Sequence, residues 1–76
     1  MASRYAVMQA ARAAMALPHQ NADGEIGRLF AELREIYARA REGVGEPATT
    51  QVALHVREES AKAADIIRRI REVQKL

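Results

Sequence analysis

The sequence contains no cysteine and no tryptophan, and it has only one phenylalanine and two tyrosines. The absence of cysteine excludes disulfide bonds and thiolate metal sites. The scarcity of aromatic residues leaves few bulky side chains for a core, and alanine, which buries little area, is the commonest hydrophobic residue. At 76 residues the chain is near the ~70–80 residues below which a single core is marginal. We therefore expect one small domain, residues 1–76, that gains part of its stabilising burial from another chain.

Long apolar runs are also missing, since no run approaches the ~18–20 residues of a membrane span. The alanine-rich segment 1–17 has few bulky apolar groups, and Arg12 interrupts its apolar run. This pattern favours a mature helix over an export signal. We expect a cytoplasmic protein that does not enter a membrane.

The net charge of +2 is too small to indicate nucleic-acid binding by itself. The basic residues nevertheless concentrate at the two ends of the chain. Segment 1–17 has two arginines and no acid, and segment 66–76 has one acid, Glu72, against four cations: Arg68, Arg69, Arg71 and Lys75. Because clustered cations can contact phosphates, nucleic acid remains a second candidate partner.

The first segment, about 3–17, predicts a short alanine-rich helix. Ser3 is a suitable N-cap, and Pro18 disfavours helical geometry at the residue before it. The apolar side of this helix is expected to carry Tyr5, Met8, Ala11 and Met15. Alanine forms helices readily but drives packing weakly, so we expect this helix to dock shallowly.

Two longer helices are predicted after it, at about 23–42 and 50–76. Asn21 or Asp23 can cap the first of them, and Thr49 or Thr50 can cap the second. The first follows the helical i, i+3, i+4, i+7 pattern without a break, through Ile26, Leu29, Phe30, Leu33, Ile36, Tyr37 and Ala40. The second has a comparable apolar face, made of Val52, Val56, Ala63, Ile66, Ile67, Ile70 and Val73.

These two helices are expected to form an antiparallel hairpin, because only a short connection with Gly43, Gly45 and Pro47 separates them. Pairing Ala40 with Val52 also places large Phe30 against small Ala63. The misfit in this register is Glu59, which falls opposite Leu33.

The longer helix outlasts its partner in this register, so its end is expected to overhang as an apolar tip: Ile70, Val73 and Leu76. With the first helix folded back, the fold class is all-α, a three-helix bundle. Because the alanine-rich helix cannot cover the whole tip, we expect the bundle to self-associate.

Residues 50–57 have a competing interpretation, because Thr50, Val52, Leu54 and Val56 alternate with more polar residues as in a strand. A strand followed by a helix from about Glu58 resembles the opening of a ribbon-helix-helix DNA-binding protein. That resemblance implies a dimer that reads the major groove with paired strands. The sequence departs from the family, because two helices precede this segment and no second helix follows it.

His55 and Glu59 form a weak candidate metal site, because a spacing of four residues on a helix allows both to bind one ion. An ion pair on the helix surface explains the same spacing. We therefore expect no metal and no other cofactor. Catalysis is not indicated either, since no nucleophile with an orienting base and no phosphate-binding loop is found.

The pattern as a whole favours a small non-enzymatic interaction module that adapts, modulates or inhibits another protein, and that also forms a homodimer. The alternative is a dimeric DNA-binding regulator that uses residues 50–57 as a strand. For the favoured function we predict a partner-binding surface at the end of the third helix, with apolar residues flanked by cations: Ile67, Ile70, Val73, Leu76, Arg69, Arg71 and Lys75.

Overall fold

The computed structural model of the protein describes residues 3–17, 23–47 and 49–75. These residues form three α-helices: α1 (Arg4–Met15), α2 (Gly24–Glu42) and α3 (Thr50–Lys75). No strand occurs within these ranges. The prediction of an all-α fold is therefore confirmed, and the three predicted helices begin and end close to the expected residues.

Helix α1 begins where the Ser3 hydroxyl accepts a hydrogen bond from the backbone N–H of Ala6 at 3.1 Å. This bond satisfies one of the free N–H groups of the first turn. The buried residues of α1 are Val7, Ala11 and Ala14. Tyr5, expected on the apolar side, is instead 64% exposed. The bundle thus uses the small side chains of α1, which allow close approach of the backbones, and leaves the large tyrosine outside.

Helix α2 supplies most of the large core side chains, as its sequence pattern predicted. Five of the seven residues on its apolar face are buried, and Ile26 and Tyr37 are half-buried against the core. Asp23 is the N-cap residue of α2, but its side chain makes no capping hydrogen bond. Gly43 is the C-cap residue that follows the last residue of α2, and its backbone N–H donates to the carbonyl oxygen of Arg39 at 3.1 Å.

Helix α3 includes the whole of residues 50–57, so the strand interpretation is wrong, and the ribbon-helix-helix resemblance loses the strand on which it was based. The hydroxyl of Thr49 accepts a hydrogen bond from the backbone N–H of Val52 at 3.1 Å, which starts the helix. The helical conformation buries Val56, packs Val52 against the core and leaves Leu54 exposed. A strand would need a second chain to cover its apolar side, whereas the helix covers two of the three residues within one chain.

One hydrophobic core joins the three helices, each of which packs against the other two. Its largest fully enclosed side chains are Phe30, Leu33, Ile36 and Ile70. No polar or charged side chain is buried in the described part of the chain. The bundle measures 41 × 18 × 17 Å, and its long axis matches the ~1.5 Å rise per residue of the longest helix.

Candidate partner-binding groove

A groove of about 480 Å³ lies on the surface between α1 and α3. Helix α1 contributes Val7 and Ala10 to its lining. Helix α3 contributes the remaining lining residues: Ser60, Ala63, Ala64, Ile67, Arg68, Arg71, Glu72 and Lys75. The volume falls within the ~300–1,000 Å³ typical of ligand-binding clefts. The groove is therefore large enough to receive several side chains of a partner.

The shape of the groove follows from the spacing of residues on α3. Ser60, Ala64, Ile67 and Arg71 are three or four positions apart, so they form one stripe along the helix. Ala10 of α1 and Ala64 of α3 both line the groove with only methyl groups, and both are exposed. Large side chains at these two positions would fill the space, so the alanines create the opening.

The charged residues of the groove are not all engaged within the protein. Arg68 donates hydrogen bonds to Glu72 at 2.7 Å and to Asp65 at 2.8 Å. Both terminal nitrogens of its guanidinium are thereby engaged within α3. By contrast, no residue of the described ranges forms an ion pair with Arg71 or Lys75. The groove therefore has an excess of positive charge at the end nearest the C-terminus of α3.

The ion pair between Arg68 and Asp65 in α3 can be tested by measuring the pKa of Asp65. The hydrogen bond from Arg68 lowers the pKa of the Asp65 carboxyl group, against a smaller opposing effect of desolvation. Because the folded state favours the charged carboxylate, the pair contributes stability above the unfolded-state pKa, and this contribution is lost as pH falls below about 4. We expect Arg68→Gln to raise the pKa of Asp65 in an NMR titration, whereas Arg41→Gln should not. An unchanged pKa in the Arg68 variant would show that the pair is absent in solution.

The predicted partner-binding residues do not all lie together in the structure. Ile67, Arg71 and Lys75 line the groove. Val73 is half-buried and Arg69 is exposed, but neither lines it. The side chain of Arg69 lies 3.4 Å from Asp65 and is part of the ion pairs of α3.

Ile70 corrects the sequence-based picture of an apolar overhang. Its exposed fraction is 0%, so it belongs to the core of the protomer and not to an exposed tip. The two-helix register gave it no cover, but three helices pack together and enclose it. Leu76, the last residue of the predicted tip, lies outside the described residues.

The candidate metal pair His55 and Glu59 is joined to Arg39. The Arg39 guanidinium donates through Nε to Oε1 of Glu59 at 3.1 Å and through Nη2 to Oε2 at 3.3 Å. The His55 Nε2 atom lies 3.7 Å from Oε1 of Glu59. Hydrogen bonding by Glu59 raises the pKa of Arg39. Both carboxylate oxygens thus already have a cationic partner.

This arrangement explains the polar residue that the predicted register placed against Leu33. Glu59 is half-buried beside α2, where Arg39 neutralises its charge, and Leu33 is fully buried. A third ligand for a metal is not found, since no group of three histidine, aspartate or glutamate side chains suited to an ion occurs among the residues described.

Sequence reasoning missed the α1 wall of the groove and the role of the small residues in α3. The predicted binding surface included neither Ala10 nor the small residues Ser60 and Ala64, although the last two share a stripe with Ile67 and Arg71. The sequence does show the stripe itself, as small residues at helical spacing. Whether α1 lies beside the stripe or covers it depends on how the three helices pack.

Comparison with known proteins assigns no function to this groove. The chain matches no protein family, and no similar curated protein or solved structure is found. Among the described helices, none has both the length and the hydropathy that crossing a membrane requires.

Proposed function

We propose that this protein is a small non-enzymatic interaction module that binds another protein in the groove between α1 and α3. Two properties of the groove support the proposal. The floor of the groove, formed by Ala10, Ala64 and Ile67, is apolar and open, and the cations Arg71 and Lys75 have no ion-pair partner among the described residues. Apolar contact provides affinity, and charges at the edge of a site provide orientation and selectivity.

The groove suits a protein segment because it is open to solvent and bordered by two helices. Recognition of a helix in a groove uses large apolar side chains spaced along one face of the bound helix. Exposed Ala10 and Ala64 leave room for such side chains, and half-buried Ile67 offers them an apolar contact. The predicted binding residues Val73 and Arg69 lie outside the groove, and we assign them no direct contact.

Three finer features accompany the same proposal. We propose that α2 and α3 run antiparallel as a hairpin, which the connection of residues 43–49 and the contact of Arg39 with Glu59 support. Self-association and a cytoplasmic location remain predictions. Light scattering across a concentration series would measure the first, and fractionation of the source cells would measure the second.

Site-specific crosslinking tests the function. Because the chain has no cysteine, a single introduced cysteine can carry a photo-crosslinker at a chosen position. We expect Ser60→Cys, inside the groove, to crosslink a protein in a lysate of the source cells. The matched control Ala38→Cys, on the exposed face of α2, should not.

Blocking the groove provides the decisive comparison. Ala64→Arg places a long side chain in the groove at an exposed helical position, so the protein should remain folded. The crosslink from Ser60→Cys should disappear when Ala64→Arg is added. A crosslink that persists with the groove blocked, or one that Ala38→Cys also gives, would contradict the proposal.

A further inference from the structure

We infer that the groove takes an acidic amphipathic helix of another protein, with carboxylates placed to pair with Arg71 and Lys75. This inference rests on the proposed function and adds the chemistry of the partner. The residues that carry it are those of the floor and of the cationic end: Ala10, Ala64, Ile67, Arg68, Arg71 and Lys75.

The charge of the groove selects an anionic partner. Three cations and one carboxylate, Glu72, line it. Glu72 accepts a hydrogen bond from Arg68 at 2.7 Å, so its charge is already balanced. Two positive charges at positions 71 and 75 are left, four residues apart on one helical face. Carboxylates one turn apart on a partner helix match this spacing.

The apolar floor of the groove determines which uncharged side chains a partner must present. Ala10 and Ala64 contribute methyl groups, and Ile67 is the largest apolar side chain on the floor. The space of about 480 Å³ must therefore be filled by large apolar side chains of the bound segment. A helix presents such side chains at i, i+3 or i+4, and i+7, which places them in one line along the groove.

A second copy of this chain does not satisfy the same requirements. A symmetric dimer uses the same surface patch on both subunits. The groove would then meet another groove with three cations and a carboxylate that is already paired. Like charges would face each other without a compensating acid, and such juxtaposition is unfavourable.

Nucleic acid fits the groove less well than a helix does. Phosphate recognition uses a row of cations, and binding of single strands adds aromatic side chains on which bases stack. The groove has two cations without a partner in the described ranges, an apolar floor and no aromatic residue. These features favour a peptide carboxylate over a phosphate backbone.

Selection from displayed peptides tests the inference. The probe is a phage-displayed library of helical peptides of about 16 residues, a length that allows a stable helix when bound. We expect peptides selected on the wild-type protein to combine an apolar i, i+3 or i+4, i+7 face with two acidic residues one turn apart. Their affinity should fall about tenfold for the double variant Arg71→Glu/Lys75→Glu, and binding should be lost with Ala64→Arg.

The control is the double variant Arg34→Glu/Arg41→Glu, which changes the net charge equally at exposed positions of α2 outside the groove. It should keep wild-type affinity. The inference is overturned if no peptide depends on Ala64, if the selected peptides are not acidic, or if both double variants weaken binding equally.

Two further outcomes separate this inference from the proposed function. A crosslink from Ser60→Cys to a protein segment without acidic residues would retain the function and overturn the acidic helix. Binding of a duplex DNA probe that both Arg71→Glu/Lys75→Glu and high salt abolish, but that Ala64→Arg leaves intact, would replace the peptide with a phosphate partner.

Discussion

Replacing Ile70 by aspartate should unfold the protein. The side chain of Ile70 is 0% exposed and lies in the core with Phe30, Leu33 and Ile36. Loss of a buried isoleucine alone costs about 2–5 kcal/mol, and a buried carboxylate without a partner adds a large desolvation cost. Domains are stabilised by only about 0.05–0.15 kcal/mol per residue, which for this chain amounts to roughly 4–11 kcal/mol.

Far-ultraviolet circular dichroism measures this result directly, because the described helices make up most of the chain. The matched control is Leu54→Asp on the same helix, since Leu54 is 51% exposed. That variant should stay helical, and an acid early in a helix is favourable to the helix dipole.

The Ile70 experiment also decides between the two views of the end of α3. If Ile70 were part of an exposed overhang, Ile70→Asp would leave a folded protein and would only separate it from a partner. A folded, monomeric Ile70→Asp protein with wild-type helicity would therefore contradict the enclosed position of this side chain.

Truncating Phe30 to alanine should lower the free energy of unfolding by about 3–5 kcal/mol. Phe30 is 0% exposed and is the one phenylalanine of the chain. Because most other core residues are aliphatic or alanine, no neighbour has the size to fill the cavity. Urea unfolding followed by circular dichroism gives the value, and Tyr5→Ala serves as the control, since Tyr5 is 64% exposed. A loss of similar size in both variants would contradict the assignment of the core.

A second substitution extends the Phe30 test to the proposed hairpin. The predicted register places Phe30 against Ala63, which is 1% exposed. Ala63→Leu should overpack the wild-type core at a cost of about 1–3 kcal/mol. In the Phe30→Ala background the same change should cost less, because the leucine can occupy the cavity. Additive effects would show that the two positions are not in contact.

The positions of the helices could be predicted from the sequence because the signals are local. The apolar face of α2 follows the helical period without interruption, and Ser3 caps α1 as expected. The conflict at residues 50–57 could not be resolved locally, since Val52 and Val56 fit either period and Leu54 fits only the strand period. Their packing against the rest of the bundle decides it, because a helix covers Val52 and Val56 within one chain.

The sequence by itself determined three helices, their approximate ends and most of the buried side chains, because helical periodicity and capping depend on residues within a few positions of each other. The tertiary structure decided that Ile70 is enclosed, that Glu59 pairs with Arg39, and that α1 and α3 border an open groove. These features depend on which helices lie side by side, and that follows from packing between residues far apart in the chain.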